Sequence, residues 1–484
     1  MASYNVRALG IYNEYLDYIS DTILVEDGVI KRFGSASYAK DVYVDGHVVP
    51  AFVDAHLHIT WLGLALNGVD LSGVRSPEEL ARKLSLAPAG IAYGRGWDQE
   101  RFEERGTLPT RKLLDRYIPD KPAIAVRVCG HLAVLNTMAL ELTRIYEVFP
   151  DLVDKETGIV REDAVYRAVE SILGKIDVTK IVKDAVMEIK RHGVAGVSSM
   201  SCPVSEAQAL ARLDSVGELV IRVACYPRKQ HLAEALEALG DARNAAVVGV
   251  KDFADGSLGA KTAYLSEEYN DEPGNRGLLL LTKKDIVRLA EGVIDRGFKL
   301  AIHAIGDAAL SEVIEAYQEI GIGGDGRIEH ASVAPPSLIR ELAGLGSHVV
   351  VQPHFRVSDW WIEDRLGKER ARWAYPFKTM VDAGVRIAFS TDSPVETINP
   401  IETIMAAESR CSQPTCRAEE ALTRRESIYY YTRASALASG GPVAELGTIQ
   451  PGKPAMLIWF DEDPRTARKL GVPKWVKIAP HLSG

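Results

Sequence analysis

The sequence predicts an α/β protein: a (β/α)8 TIM barrel with a small β-sandwich domain built from both termini and a large insertion after strand 1. Three observations predict this class. After residue 50, short runs rich in β-branched residues alternate with longer amphipathic stretches. The runs are continuously apolar, which is typical of parallel strands buried on both faces. Eight such runs can be counted, the number that a TIM barrel requires.

The eight runs are separated by helical patterns such as "SEAQALARLDSVG" and "KKDIVRLAEGVIDRGFK", as in repeated β–α units. The predicted barrel strands are "FVDAHLHI" (52–59), "GVAGVSSM" (193–200), "LVIRVACYP" (219–227), "VVGVKDFADG" (247–256), "KLAIHAIGD" (299–307), "RIEHAS" (327–332), "HVVVQPHF" (348–355) and "VRIAFSTDSP" (385–394).

The segments outside this series define the remaining predicted units. Residues from about 64 to 170 contain their own strand-like run, "PAIAVRVCGH", and are expected to form an insertion above the barrel mouth. Residues 1–50 hold "EDG" and "DG" turns, which are typical of hairpins, and the C-terminal "ELGTIQPGKPAMLIWFDEDP" has a similar character. We therefore expect residues 1–50 and 446–484 to form the small β-sandwich domain, and residues 51–445 to form the barrel.

The composition indicates a globular protein that acts on small molecules. The chain has 484 residues, of which 46% are hydrophobic and 25% are charged. A net charge of −9 argues against a nucleic-acid partner, because such partners need a basic surface. The first twenty residues lack the apolar core of a signal peptide, and no apolar run approaches the roughly 18 residues of a membrane span. We therefore expect a cytoplasmic protein with no membrane partner.

Cysteine and amide usage add two further expectations. Five cysteines in so long a chain do not make a disulfide framework. Cys411 and Cys416 are expected to be free thiols, or at most a surface disulfide, because no second Cys/His pair lies nearby to complete a zinc site. The chain has only 8 Asn and 7 Gln. Scarcity of these thermolabile residues is a trend of proteins from hot habitats.

Metal-binding residue types are concentrated at the predicted strand ends, which converge on one mouth in a barrel. His56 and His58 lie on the same face of strand one, about 7 Å apart along the strand. Each residue alone is compatible with a satisfied core position, but the set indicates a metal site. The candidates are His56 and His58 at strand one, Lys251 in strand four, His303 at strand five, His330 at strand six and Asp392 at strand eight, with His354 on strand seven as a further histidine.

The chemistry of these side chains points to hydrolysis. Imidazole and carboxylate groups suit zinc and similar divalent ions, with an open position left for water. A bound metal lowers the pKa of that water to near 7 and so supplies hydroxide at neutral pH. Asp392 is the candidate catalytic residue, acting as metal ligand and general base together.

The motifs resemble the amidohydrolase superfamily over nearly the whole chain. "VDAHLH", "HAIGD", "IEHAS" and "STDSP", in this order, carry that resemblance. "YGRGWDQERF", "GHLAVLN", "VKDFADGSLGAKTA" and "GTIQPGKPA" are similar to the amidohydrolase-3 group, which includes N-substituted formamide deformylase-like enzymes. Two positions depart from the group's pattern: Thr137 stands where serine is more typical, and Met456 follows Ala455 where aspartate is customary.

The resemblance implies two divalent ions per chain, with zinc as the expected metal. His56 and His58 would bind the first ion, which Asp392 would complete, and His303 and His330 would bind the second. Lys251 resembles a lysine that CO2 carboxylates in binuclear relatives, so that its carbamate bridges the ions. The alternative is a plain lysine paired with Asp252 or Asp255, since an ammonium group has no lone pair for a metal.

Four further residues are candidates for substrate binding. His131 in "GHLAVLN" resembles a residue near the substrate in this group, with structural packing as the alternative. Trp97 and Asp98 are expected to line the pocket, although Asp98 could instead cap the helix that follows. Asp255 is expected in a loop over the mouth, although a tight turn alone would explain Gly256.

Aromatic and cationic residues after strand seven leave two interpretations open. Trp360, Trp361 and Arg365 could line a partly apolar substrate site. They could instead form a homodimer contact, where Trp and Arg are also enriched.

The sequence therefore predicts a metal-dependent hydrolase that cleaves a non-peptide carbon–nitrogen bond, of an amide, formamide or cyclic amide, by metal-activated hydroxide. The first alternative is a mononuclear deaminase of an amino-heterocycle, in which Lys251 stays unmodified and one ion binds at His56, His58, His303 and Asp392. The second is a barrel without catalysis that serves as a scaffold, which the presence of all six ligand candidates disfavours.

Overall fold

The computed structural model describes residues 2–88, 90–173, 178–409, 413 and 415–477. The strands in this part of the chain are β1 (Ser3–Tyr12), β2 (Tyr18–Glu26), β3 (Val29–Phe33), β4 (Lys40–Pro50), β5 (Phe52–Leu57), β6 (Val69–Asp70), β7 (Ala92–Trp97), β8 (Ala123–Arg127), β9 (Leu132–Leu135), β10 (Val153–Asp154), β11 (Ile159–Arg161), β12 (Val194–Met200), β13 (Arg222–Tyr226), β14 (Ala245–Val247), β15 (Gly249–Phe253), β16 (Lys299–Ala304), β17 (Gly326–His330), β18 (His348–Val351), β19 (Arg386–Phe389), β20 (Leu457–Phe460) and β21 (Lys474–Trp475).

The α-helices follow the parallel strands and fill the insertion. They are α1 (Ile59–Asn67), α2 (Pro77–Ser85), α3 (Arg111–Tyr117), α4 (Thr137–Thr143), α5 (Ile145–Val148), α6 (Asp163–Leu173), α7 (Val178–Arg191), α8 (Val204–Ser215), α9 (Leu232–Leu239), α10 (Lys283–Ala290), α11 (Asp307–Ile320), α12 (Pro336–Leu345), α13 (Phe355–Ser358), α14 (Ile362–Ala371), α15 (Phe377–Asp382), α16 (Pro400–Ala407), α17 (Arg424–Tyr429) and α18 (Ser435–Ser439).

Two parallel sheets form the centre of an α/β fold, with strand orders β14-β13-β12-β5 and β15-β16-β17-β18-β19. Each of the eight predicted runs overlaps one of these strands, and the run 247–256 overlaps two, the end of β14 and β15, which are separated by Val248 alone. Their side chains are buried on both faces, as continuous apolar runs predict. Strand seven is shorter than predicted: it ends at Val351, and His354 precedes α13 in a turn.

Hydrogen bonds join the edges of the two parallel sheets at both seams. At one seam, the backbone N–H of Asp392 donates to the carbonyl of His56 (2.8 Å), and that of His58 donates to Ser393 (2.9 Å). At the other seam, Val248 donates to Cys225 (2.9 Å) and Lys251 donates to the carbonyl of Pro227 (3.0 Å). The carboxyl ends of β5 and β19 are therefore neighbours.

The long segment after β5 contains a mixed sheet of its own, with the order β10-β11-β9-β8-β7-β6. It is buried on both faces. On β8, Ile124 and Val126 pack into one hydrophobic cluster, and Ala123 and Ala125 pack into another. This alternation follows from the two-residue period of a strand.

Strands from residues 1–50 and from the C-terminal segment form one further sheet, with the order β21-β20-β4-β1-β2-β3. β20 pairs antiparallel with β4, with Leu457 opposite Pro50 and Phe460 opposite His47. The other edge of β4 pairs parallel with β1. These strands form one hydrogen-bonded sheet with a hydrophobic cluster of its own.

Two further expectations concern features outside these sheets. Cys416 is disulfide-bonded, whereas Cys411 lies outside the described residues. Cys129, Cys202 and Cys225 are free thiols. No helix in the described ranges is both long enough and apolar enough to cross a membrane.

Candidate metal centre

The six predicted ligands are all buried near the carboxyl ends of the parallel strands. Three of them lie within strands and three at or beyond a strand end. His56 is on β5, Lys251 is on β15, His303 is on β16, His330 ends β17, His58 precedes α1, and Asp392 follows β19.

The backbone is left-handed at two of these residues. The φ angle is 76° at His330 and 58° at Asp392. A non-glycine residue in this region costs of order 1–3 kcal/mol, and such outliers cluster at functional sites. At Asp392 the backbone N–H bonds to His56, which holds the strained turn against β5.

His56, His58 and Asp392 form a compact group in which one ligand atom of each lies within 4.8 Å of the others. The Oδ1 atom of Asp392 lies 3.2 Å from Nε2 of His56 and 3.1 Å from Nε2 of His58. The same Oδ1 atom is buried and has no hydrogen-bond donor. Three polar atoms therefore face one small volume.

The other nitrogen of each imidazole fixes its tautomer. Nδ1 of His56 lies 2.6 Å from a carboxylate oxygen of Glu329, and Nδ1 of His58 lies 2.9 Å from the carbonyl of Met200. Both partners are acceptors, so each Nδ1 carries the hydrogen and each Nε2 presents a lone pair. Two lone pairs and a carboxylate oxygen that face each other are a donor set suited to a cation. The residues present therefore fit a metal ion, and without one the carboxylates raise the pKa of His56 despite its burial.

His303 and His330 form a second pair of imidazoles beside the first group. Their ring centroids are 4.5 Å apart, and His330 lies 4.9 Å from His56. Nε2 of His303 donates to the carbonyl of Gly256 (2.9 Å), and Nδ1 of His330 donates to Oε1 of Gln352 (2.8 Å). Each ring again keeps one nitrogen free for a ligand bond.

Charges in the centre agree with ligand chemistry. Burial lowers the pKa of His330 to about 3 and the pKa of His303 well below its usual value. Burial opposes the ionisation of Asp392, but His56 and His58 hold the pKa of its carboxyl well below the usual range. Two neutral imidazoles and an ionised carboxylate are the forms that bind a divalent ion.

Lys251 is buried beside these imidazoles without a polar partner. Its Nζ atom lies 3.6 Å from the ring centroid of Phe253, and among the described residues it makes no hydrogen bond or ion pair. Burial lowers the pKa of its ammonium to about 8. The predicted alternative, an ion pair with Asp252 or Asp255, is not formed: Asp252 pairs with Arg228 (2.8 Å).

Two supporting residues escaped the sequence-based prediction. Glu329 accepts from His56 and is itself bound by Arg327 (2.9 Å), with both side chains fully buried. Burial opposes its charge, but Arg327 and His56 lower the pKa of Glu329 to about 2. Gln352 orients His330. The motif "RIEH" could have indicated a role for Glu329. Its carboxylate lies in a buried strand, one residue before a ligand candidate, and a buried carboxylate needs a partner.

The structure brings two of the four substrate candidates toward the centre. The His131 ring lies 5.2 Å from that of His303, and its Nδ1 is bound by the carboxylate of Glu162 (2.5 Å). Asp98 lines the adjacent cavity, pairs with Arg127 (2.6 Å) and also caps the short helical turn that follows it.

The other two candidates are enclosed by protein. Trp97 is fully buried and stacks on Phe102 in the core of the insertion, at 6.2 Å between ring centroids. The Asp255 carboxylate accepts backbone N–H groups of Ile305, Gly306 and Tyr264, so it clamps loops together. Neither side chain lines the cavity among the residues described.

A cavity of about 270 Å³ lies near the centre: Phe355 lines it and stacks on His330 at 6.1 Å between ring centroids, although none of the six ligand candidates is among its described lining residues. Ile305, Ser332 and Val395 line it, and each follows a ligand candidate by two or three residues. Trp361 contributes to the wall of this cavity, whereas Arg365 is buried in ion pairs with Glu100 and Asp271. His354 also lines this cavity and is not part of the ligand group.

Comparison with known proteins agrees with this geometry. The model of the amidohydrolase family matches residues 45–470. The N-substituted formamide deformylase of Arthrobacter pascens is 25% identical over 513 residues, covering 95% of this chain and 92% of that protein.

Two solved structures from archaea are similar over nearly their whole length. An uncharacterized metal-dependent hydrolase of Pyrococcus horikoshii OT3 is 33% identical, with a TM-score of 0.83, covering 96% of this chain and 99% of its own. One from Pyrococcus furiosus is 34% identical, with a TM-score of 0.80, covering 96% and 100%. The family match over most of the sequence and these relatives agree with the metal-binding geometry: this chain belongs to the amidohydrolase family.

Proposed function

We propose that this protein is a metal-dependent hydrolase of a non-peptide carbon–nitrogen bond, in an amide, formamide or cyclic amide. The observation that carries the proposal is the convergence of two imidazole lone pairs and the Asp392 carboxylate on one volume. Similarity to a formamide deformylase supports the bond type. The substrate is a small molecule, because the cavity beside the centre has a volume of only about 270 Å³.

The proposed centre holds two divalent ions, with zinc as the expected metal. His56, His58 and Asp392 would hold the first, and the free nitrogens of His303 and His330 would hold the second. Lys251 would bridge them after its amine adds to the carbon of CO2 and releases a proton, which leaves a carbamate. The depressed pKa of Lys251, about 8, supports this step because only the neutral amine has the lone pair that reacts.

The bound metal would supply hydroxide at neutral pH by lowering the pKa of water. Asp392 then takes a proton on its carboxylate oxygen and passes it to the departing nitrogen. Glu329 and Gln352 keep a hydrogen on Nδ1 of His56 and His330, which leaves each Nε2 free. His131 and Asp98 are the proposed substrate contacts, since both lie at the centre or its cavity.

We also propose the domain layout. The hydrogen bonds at both seams support closure of the parallel strands, with β14 and β15 counted as one, into a (β/α)8 barrel over residues 51–445. The mixed sheet belongs to the insertion, about 64–170. Residues 1–50 and 446–484 would form the small terminal β-domain, which in the described residues contains one sheet.

A mononuclear deaminase of an amino-heterocycle is the second candidate. One observation favours it: among the described residues, His56, His58 and Asp392 are the one group close enough to hold an ion as they stand. Lys251 would then remain an ordinary amine.

Elemental analysis of protein expressed with zinc and bicarbonate tests these proposals. We expect two ions per chain in the wild type. The metal content should fall in Lys251→Ala but not in the surface control Lys284→Ala. About one ion, unchanged in Lys251→Ala, would select the mononuclear centre. No retained metal after reconstitution would overturn both.

A further inference from the structure

The cavity beside the metal centre has a second polar end, formed by Asp359, Glu396 and Tyr375. Phe355 separates this end from the imidazoles: its ring lies 6.1 Å from that of His330 and 6.3 Å from that of Tyr375. One aromatic ring therefore stands between the proposed ions and this acidic end. The same cavity is lined by Ile305, Ser332 and Val395, which follow ligand candidates by two or three residues.

Most charges around the cavity are already balanced. Asp98 is bound by the guanidinium of Arg127 (2.6 Å). Glu396 accepts from Nδ1 of His354 (2.5 Å), and its other oxygen accepts from the Ser358 hydroxyl. These two carboxylates leave no charge for a ligand to neutralise.

Asp359 is the exception. Its described partner is the hydroxyl of Tyr375, and no described Lys, Arg or His nitrogen lies within ion-pair distance of its carboxylate. Burial and the neighbouring Glu396 raise the pKa of Asp359 to about 7. Asp359 is half-buried and its described partner is a neutral hydroxyl, so its carboxylate faces the cavity without a cation from the described residues within ion-pair distance.

Tyr375 holds Asp359 in place from the side of the metal centre. Its backbone is left-handed, with φ of 53°, and the backbone N–H donates to the carbonyl of Ser332 (2.8 Å), two residues after His330. Its own carbonyl accepts from the buried guanidinium of Arg356 (2.8 Å). A strained, doubly anchored residue that positions one carboxylate is typical of a binding site rather than of a packing contact.

The wall between the two ends is largely apolar. It is formed by Ile305, Phe355, Val357, Trp361 and Val395. The indole N–H of Trp361 is buried and has no acceptor in the described structure. The complementary ligand therefore has an apolar or aromatic body with a charged nitrogen at one end.

We propose that Asp359 binds a cationic nitrogen of the substrate (a protonated amine, amidinium or guanidinium) at the end opposite the bond that is cleaved. This inference rests on the proposed function, since it assigns a substrate class to the same cavity. The preferred substrates would be amides or formamides that carry a basic group beyond an apolar spacer. Asp359 is a binding residue, and the bond cleavage uses other groups.

A binding measurement tests the inference without turnover. Benzamidine is a permanent cation near neutral pH without a free lone pair for metal, and acetophenone is its neutral analogue. Calorimetry on the zinc-loaded enzyme should show that benzamidine binds at least about tenfold more tightly than acetophenone. This factor is the scale of one charge-assisted hydrogen bond. Asp359→Asn should abolish the difference, and the exposed control Asp295→Asn should keep it. Equal affinities in the wild type, or tighter binding of benzoate, would overturn the inference even if the Asn variant failed to fold.

A kinetic comparison separates this inference from the proposed function. N-formyl-para-(aminomethyl)benzylamine and N-formyl-para-methylbenzylamine share the same formamide and differ in the distal charge. The cationic compound should have the higher kcat/KM, and Asp359→Asn should bring the ratio toward one. Hydrolysis of both at equal rates would overturn the cationic site and support the hydrolase. Hydrolysis of neither would count against the proposed bond type, and benzamidine binding would then decide the inference alone.

Discussion

Nδ1 of His56 lies 2.6 Å from a carboxylate oxygen of Glu329, and both side chains are fully enclosed by protein. Glu329 thereby fixes the ring so that Nε2 faces Asp392. The ligand geometry on β5 is thus set by a strand that is distant in sequence, β17.

Replacing Glu329 should weaken metal binding without removing a ligand. Glu329→Gln loses the carboxylate that holds hydrogen on Nδ1 of His56 and leaves Arg327 buried without its anion. Loss of such a partner costs about 10- to 100-fold in metal affinity. Zinc competition with a chelator measures the effect, with exposed Glu341→Gln as the matched control. Unchanged zinc affinity would show that His56 does not depend on Glu329 for its orientation.

Replacing Asp392 should lower turnover while the protein still folds. Asp392→Ala removes the proposed general base, and a loss of about 10²- to 10⁴-fold in kcat is expected for that role. Formamide turnover by the zinc-loaded variant measures it, beside the surface control Asp295→Ala. Thermal unfolding of the variant should remain cooperative, since the side chain contributes little to the core. Full activity in a well-folded Asp392→Ala would refute the base assignment.

Stability should fall in mild acid, partly because of His348. Burial, with the charges of Lys299 and Arg327, lowers the pKa of His348 to about 4, against roughly 6.5 in an unfolded chain. Between these values the unfolded state binds more protons, so the free energy of unfolding decreases as the pH is lowered through this window. The free energy of unfolding should therefore fall between pH 7 and pH 5 by about 1–2 kcal/mol less in His348→Gln than in the wild type. Denaturant unfolding at both pH values gives the difference, and parallel losses in the two proteins would argue against a neutral buried His348.

The low Asn and Gln content carries a prediction about heat. We expect a Tm above about 60 °C, beyond the range where mesophilic domains cluster. Scanning calorimetry of the metal-loaded protein measures it, and the metal-free protein serves as the control for stabilisation by bound ions. A midpoint below that range in both forms would show that the amide scarcity has another origin.

The strand pattern could be predicted because burial on both faces leaves a direct trace in composition. All eight apolar runs contain strands, and the six ligand candidates lie at or near their carboxyl ends. The partners of those ligands could not be predicted in the same way. The motif around Glu329 indicates that it needs a partner, but the identity of that partner, His56 on β5, follows only from the folded structure, as does the contact of Gln352 with His330.

At Trp97 a local irregularity breaks the regular alternation of side chains along the strand. Arg95 and Trp97 would share a face of a regular strand, but the pairing of β7 with β8 shifts register between them, at Gly96 with φ of 109°. Such a bulge turns the following side chain to the other face. Arg95 therefore lies over Trp61 on one side of the sheet, and Trp97 packs into the core on the other.

The pairing of β4 with β20 has a consequence for synthesis on the ribosome. About 400 residues separate the two strands, so at roughly 5–20 residues per second the first waits some 20–80 s for its partner. During that time one edge of β4 has exposed N–H and C=O groups, which can pair with other chains. Its sequence carries Lys40, Asp41 and Asp45 and ends in Pro50, the charged and proline residues by which natural edge strands discourage aggregation. The nascent chain thus protects an edge that the finished protein no longer has.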